Sequence, residues 1–316
     1  MQKRKVIIIL GPTASGKSDI ALKLAKKHNG FLISADSRQI YKGMDIGTNK
    51  DIGTWQVVNG EEKYLVDGLP LYLVDQLEPD QEFTVVDWRN RVIELIEAHP
   101  SQLPIIVGGT GLYISALVKN FSFAEGKIND GVREKLEKDL KKFGTERMWK
   151  RLVKLDPYAE EIVDKKNPRR VLRALEACMI GNKPFSEQLK TNEPMFDFLQ
   201  IGINIPRETL YKKIDGRVDQ MIGQGLLEEV KKLNQQGFSW DLTSMSGIGY
   251  KQIGMFLRGE VSLEQAVELI KRDTRHYAKR QMTWFSAKGG CASGAKPHND
   301  IKWVKNFEEA DKLVAE

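Results

Sequence analysis

The run KVIIIL, residues 5–10, passes directly into GPTASGKS, residues 11–18, and then into DIALKLAKKH. The first segment is apolar and rich in β-branched residues, and the last carries apolar residues at helical spacing, so a strand, a glycine-bearing turn and a helix follow one another. This order constrains the fold more than any other feature, because a strand followed by a helix returns the chain to a parallel neighbour. The turn matches G-x-x-x-x-G-K-[ST] at Gly11, Gly16, Lys17 and Ser18, in the structural setting that gives the pattern meaning. Glycines let successive backbone N–H groups converge on phosphate oxygens, and the helix N-terminus adds its positive end. Lys17 is placed to reach a terminal phosphate and the Ser18 hydroxyl to ligate Mg²⁺. ATP is the commonest ligand of such a loop, but the loop recognises a polyphosphate and not a base.

Up to about residue 118, short apolar runs alternate with amphipathic segments: FLIS, a polar loop, VVDWRNRVIELIEAHP and LPIIVGG. This alternation predicts βα units on a parallel sheet. From about 120 to 195 the apolar positions recur at helical spacing, with Asn167-Pro168 as a helix start. The strand pattern returns at FLQIGINI, helices follow, and IKWV near the end reads as a short strand. The expected organisation is an α/β core of P-loop type from residues 1–119 and 196–316, interrupted by a mainly helical insertion at 120–195.

With 316 residues, 41% of them hydrophobic, the chain can bury a substantial core. No apolar stretch is long enough to span a bilayer, and the N-terminal apolar run is too short for a signal-peptide core. A cytoplasmic, monomeric protein without a membrane partner is expected. Cys178 and Cys291 lie far apart, with neither a disulfide framework nor zinc spacing, and Cys178 sits in a core-like helical segment. The net charge of +6 is concentrated: residues 127–190 hold 17 Lys and Arg against 11 Asp and Glu, and 271–288 hold six basic residues against one acid. Two basic zones fit either a polyanion partner or solvated helix faces.

Two acids qualify as the second Mg²⁺-orienting group of a P-loop site: Asp36, ending FLISAD, and Asp75, ending LYLVD. Asp36 follows the strand next after the phosphate-loop helix and is preferred; Asp75 reads as a strand-end residue. The alternative for Asp36 is a cap or turn acid within ADSRQ. In VGGTGLY, residues 107–113, small residues permit close backbone approach at the same sheet edge, and Thr110 offers a hydroxyl there.

GPTASGKS, ISADSRQIYKGMDIGT, VGGTGLY, NPRRVLRALE, GRVDQMIGQGLLEEV, GIGYKQ and AKRQMTWF occur in this order along most of the chain, and together they closely resemble the bacterial tRNA dimethylallyltransferase (tRNA isopentenyltransferase) family. The resemblance implies that the loop Gly11, Pro12, Thr13, Ala14, Ser15, Gly16, Lys17 and Ser18 holds the diphosphate of dimethylallyl diphosphate, with Mg²⁺ at Ser18. It further implies prenyl transfer to N6 of the adenosine just 3′ of the anticodon (tRNA position 37). Asp36 matches the general base; Arg217 and Thr110, with Lys17, match other catalytic positions. The anticodon stem-loop would be contacted by Asp36, Ser37, Arg38, Gln39 and Thr110, and by Arg169, Arg170 and Arg173, which share a helix face suited to phosphates.

On residue spacing alone, without the resemblance, Arg217 reads rather as a helix-surface ion pair with Asp215 or an acid one turn on. Many relatives carry Ala-Lys-Pro after the Gly-Thr and His-His-Leu further on. Here stand GTNKDIGTWQVVNG and PLYLVD, with extra residues between, so the roles of those family positions do not carry over. The rival classes are a P-loop kinase and a non-catalytic RNA-binding protein switched by nucleotide. Neither accounts for Asp36, Thr110 and Arg217 in their contexts.

Overall fold

The computed structural model describes residues 3–121, 130–188, 192–286 and 300–316. Its elements in chain order begin with β1 (Lys5–Leu10), α1 (Lys17–Lys27) and β2 (Gly30–Ala35), followed by β3 (Thr54–Val58), β4 (Glu61–Val66) and β5 (Leu69–Tyr72). Next come α2 (Val85–Ala98), β6 (Leu103–Gly108), α3 (Gly111–Val118), α4 (Asp130–Leu155), α5 (Ala159–Ile162), α6 (Pro168–Gly181) and α7 (Phe185–Gln188). The chain ends with β7 (Asp197–Ile203), α8 (Arg207–Gly223), α9 (Leu226–Gln235), α10 (Tyr250–Leu257), α11 (Leu263–Phe285), β8 (Ile301–Val304) and α12 (Phe307–Ala315). Two compact units result: Met1–Ile114 with Phe196–Phe285 and Asn299–Glu316, and Ser115–Met195 with Ser286–His298.

The first unit is mixed α/β. Among its described residues, eight strands form one sheet in the order β3-β4-β5-β2-β6-β1-β7-β8, parallel from β5 to β8. Val6–Leu10 of β1 are fully buried because helices cover both faces, which is why that strand shows no polar alternation. Leu24 and Ala25 of α1 pack on this sheet with Ile7, Ile9, Ile105 and Ile201. Register then places the site: Leu10 lies level with Gly108, and Gly108 with Ala35. The carboxyl ends of β2, β6 and β1 therefore stand side by side where the chain leaves for its three polar loops, the edge at which open α/β sheets bind ligands.

The antiparallel β3-β4-β5 meander occupies a stretch expected to be a polar loop. β3 is exposed along nearly its whole length, so burial imprints no alternation on it. The signal lies in its turns: Asn59-Gly60 (φ 54° and 83°) and Asp67-Gly68 (φ 49° and 80°) both have the positive φ values of two-residue type I′ hairpins.

The second unit is helical in its described residues. Leu136, Met148, Leu152, Val171, Leu175 and Cys178 form its core. α4 is broken at Gly144, whose φ of 74° suits glycine, and α6 starts as expected, with the Asn167 side chain accepting from Arg170 N and Pro168 in the first turn. No described helix is long and apolar enough to cross a membrane. Residues 287–299, which include Cys291 and most of the Gly/Ser-rich tail, lie outside the described residues.

Candidate functional site

The 11–18 turn curls through left-handed backbone at Ala14 (φ 63°) and Gly16 (φ 85°), and Gly16 caps α1. Such a turn directs N–H groups inward as an anion nest. The neighbouring loop is held close: a Cβ on Gly108 would lie 2.3 Å from the Ala35 carbonyl oxygen, so only glycine lets β6 end beside β2. Gln281 of α11 ties the two loops together. Its Oε1 accepts from Thr13 N at 2.9 Å and its Nε2 donates to Gly109 O at 3.0 Å.

These loops enclose a cavity of about 220 Å³ lined by Thr13, Ala14, Gly16, Lys17 and Ser18 from the turn, and by Ser34, Asp36 and Gln39. Thr48, Asn49 and Asp51 close another side, with Arg217, Tyr277 and Gln281 from α8 and α11 opposite. Gly11, Pro12 and Ser15 shape the turn without lining the cavity. Lys17 Nζ donates to Pro12 O at 3.3 Å, and burial beside the Arg217 cation, partly offset by Asp36 and Asp51, lowers its pKa to about 8.

Arg217 turns into the cavity, with Nη1 3.5 Å from Thr13 Oγ1, and burial lowers its pKa too. The ion pair that spacing suggested for Arg217 is absent because Asp215 pairs instead with Arg275, at 2.5 Å. Lys271 likewise pairs with Asp219 and Arg272 with Asp273, so much of the 271–288 basic zone is spent on acids within its own unit.

Asp36 is a turn acid that also stands in the cavity wall. Its Oδ1 accepts from Arg38 N at 2.8 Å, as a turn acid does, while the carboxylate also lines the cavity. Thr110 stands behind it: Ser37 N donates to Thr110 Oγ1 at 3.2 Å, and beside Thr110 lies the Tyr277 hydroxyl, whose pKa burial drives up. Arg38 points away, donating to Thr243 O and to Ser246 Oγ. Asp75 lies three residues beyond the end of β5, in left-handed backbone (φ 56°), and is not part of the cavity wall. It accepts from Lys50 Nζ at 2.8 Å and Trp55 Nε1 at 3.0 Å; burial pushes its pKa up, but these donors hold it below the usual carboxylate value.

Three contributors escaped the sequence reading. Asp51 stands half-buried in the cavity wall that Ser18 also lines, and has its pKa raised by burial. Gln281 was visible only as a buried-face glutamine within AKRQMTWF. Glu229, in GLLEEV, accepts from the backbone N–H groups of Asp45, Ile46 and Gly47 at 3.0, 2.7 and 3.1 Å, and from Tyr250 Oη at 2.6 Å. The Tyr250 ring fills the space a Gly47 side chain would take. The GLLEEV and GIGYKQ segments thus anchor the turn that leads into Thr48, Asn49 and Asp51. Arg169, Arg170 and Arg173 lie exposed on α6 of the second unit, where Arg173 also pairs with Glu176 at 2.6 Å.

Fold and site together define a P-loop-type α/β protein whose phosphate turn faces a carboxylate and an arginine across one cavity. The model of the IPP transferase family matches residues 39–288, and an isopentenyl transferase model matches 4–71. A tRNA dimethylallyltransferase of Acetivibrio thermocellus is 45% identical, with 98% of this chain and 95% of that protein covered, and one of Clostridioides difficile is 42% identical, with 100% and 97% covered. Among solved structures, the tRNA isopentenylpyrophosphate transferase of Bacillus halodurans superposes with a TM-score of 0.67 at 35% identity, covering 99% of this chain and 96% of that one. A eukaryotic dimethylallyltransferase acting on tRNA gives 0.73 at 27% identity, covering 99% and 77%. The chain belongs to the IPP transferase family, the family of the tRNA dimethylallyltransferases, and is a transferase of the prenyltransferase type.

Proposed function

We propose that this chain transfers a dimethylallyl group from dimethylallyl diphosphate to N6 of the adenosine 3′ of a tRNA anticodon and releases diphosphate. The observation that carries the reading is that Lys17, Arg217 and Asp36 line one cavity: two cations for a leaving diphosphate, and a carboxylate for the proton lost by the amine. The bond from carbon to the diphosphate oxygen breaks, a carbon–nitrogen bond forms, and the N6 proton passes to Asp36. An adenine amine is a weak nucleophile because its lone pair is delocalised into the ring, so a base that takes the proton as the bond forms lowers the barrier. Lys17, Arg217 and the N–H groups of the turn stabilise charge gathering on the leaving group. Thr110, bound to Ser37 and beside Tyr277, positions the Asp36 loop against the incoming base.

Mg²⁺ fits the donors present. The Ser18 hydroxyl is a hard oxygen in the cavity wall, no group of three His, Cys, Asp or Glu side chains forms a metal cage among the described residues, and Mg²⁺ is characteristically held by few protein oxygens plus substrate phosphates. When bound it neutralises charge on the diphosphate. The target base must leave its stack to reach the cavity, which an anticodon loop allows more readily than a duplex. Ser37 and Gln39 are the proposed contacts beside it, Arg38 a proposed RNA contact outside the cavity, and Arg169, Arg170 and Arg173 of the helical unit the proposed phosphate contacts. The proposed form is a monomer working where tRNA is found, in the cytoplasm.

The test is incubation with labelled dimethylallyl diphosphate, Mg²⁺ and unmodified tRNA, followed by nucleoside analysis. N6-prenyladenosine is expected. Its absence with folded protein and several tRNAs carrying adenosine beside the anticodon, or ADP formation from ATP with a small acceptor, would overturn the proposal.

A further inference from the structure

The segment that departs from the family pattern, GTNKDIG, brings a carboxylate to the phosphate turn. Asp51 lines the same cavity as Ser18, Lys17 and Arg217. An acid in the wall of an anion site repels the ligand unless a cation comes between them. In P-loop proteins the phosphate-loop Ser or Thr and an acid beside it are the two side chains that hold Mg²⁺, the acid coming from a strand end. Here the strand-end acid is Asp36, whose carboxylate caps its own turn through Arg38 N.

Asp51 is held in place by the residues around it. Lys50 Nζ donates to Tyr41 O at 2.9 Å, Asp45 Oδ1 at 2.5 Å and Asp75 Oδ1 at 2.8 Å. From β4, Tyr64 Oη donates to the Asp51 carbonyl at 2.9 Å and accepts from Gly53 N at 3.0 Å. Gly53 passes so close to β4 that a Cβ would lie 2.6 Å from Leu65 O. The β3-β4 hairpin thus acts as a brace for Asp51.

We propose that the Asp51 carboxylate, together with Ser18 Oγ, is a protein ligand for the divalent cation that accompanies diphosphate, and that the hairpin exists in this chain to hold it there. This rests on the diphosphate and Mg²⁺ reading above and adds the residue that sets metal affinity.

The experiment titrates Mn²⁺ by electron paramagnetic resonance, with the full chain and saturating inorganic diphosphate against a protein-free blank, and measures diphosphate affinity with and without metal. Asp51→Asn is expected to weaken Mn²⁺ in the ternary complex at least about tenfold, the scale on which single residues of a metal site act, while metal-free diphosphate affinity holds or rises. Tyr64→Phe, which loosens the brace but keeps the carboxylate, is expected to give a smaller loss and supplies the answer should Asp51→Asn fail to fold. Unchanged Mn²⁺ affinity in both variants overturns the assignment of Asp51 alone. So does an equal loss of diphosphate affinity with and without metal. Wild-type protein that binds diphosphate identically with and without metal overturns the Mg²⁺ reading and this inference together.

Discussion

Replacing Lys17 by Met should make the empty protein more stable while abolishing its purpose. In the folded chain the Lys17 amine has a pKa of about 8 against 10.5 for the free side chain. At 1.36 kcal/mol per pKa unit this difference means that keeping Lys17 protonated in the empty cavity costs about 3 kcal/mol. Lys17 is only partly covered, so solvent in the cavity screens some of the cost, and a gain of about 1–2 kcal/mol on substitution is the expected outcome at pH 7. The folded pKa lies below the unfolded one, so the unfolded chain binds more protons between pH 8 and 10.5 and stability rises with pH across that window. The cost is therefore complete below pH 8 and relieved as pH climbs toward 10.5, and the advantage of Lys17→Met should shrink over the same interval. Urea denaturation of both proteins at pH 7, 8, 9 and 10 measures this directly. Diphosphate with Mg²⁺ at a hundred times its Kd should add about 2.7 kcal/mol to wild type and almost nothing to the variant. A variant less stable than wild type at pH 7, or a difference that does not narrow above pH 8, would refute the electrostatic account of Lys17.

Further outcomes are expected elsewhere. Asp36→Asn keeps the acceptor for Arg38 N but removes the base, so single-turnover prenyl transfer should slow by about 10²- to 10⁴-fold with diphosphate affinity near wild type; lost affinity restored by high Mg²⁺ would assign Asp36 to metal instead. Asp75→Asn, outside the cavity wall, should leave the transfer rate near wild type. Glu229→Ala strips the acceptor from three backbone N–H groups and the Tyr250 hydroxyl, and should cost about 3 kcal/mol in denaturation while weakening metal-dependent diphosphate binding through the loosened 45–51 segment. Arg169→Gln with Arg170→Gln should flatten the plot of log affinity for tRNA against log salt by about 1.4–1.8, whereas Arg173→Gln, already paired with Glu176, should change it less.

The sheet core and the phosphate turn were legible because their causes are local. A strand buried on both faces must be apolar throughout, and a turn that wraps phosphate needs glycine where φ is positive, so KVIIIL and GPTASGKS announce themselves. The start of α6 was equally plain, since Asn167 and Pro168 act within one turn. The hairpin was missed because β3 buries almost nothing on either face, although Asn59-Gly60 and Asp67-Gly68 carried the turn chemistry.

Sequence by itself determined that Lys17 and Ser18 would stand where a glycine-bearing turn enters a helix and, through the ordered motifs, that the chain resembles a tRNA prenyltransferase family. Only the tertiary structure decided what stands opposite. Arg217 could as well have paired with Asp215 until Arg275, 60 residues away in the chain, claimed that acid. Gln281 meets Thr13 across 268 residues, Glu229 meets the 45–47 backbone across more than 180, and Asp51 joins Ser18 in one cavity wall from the far side of β2. Such pairings leave no periodicity in the sequence, because helical and strand periods record only which face of an element is buried. Which distant partner a polar side chain meets is fixed by strand order and register, and these exist only once the sheet has formed.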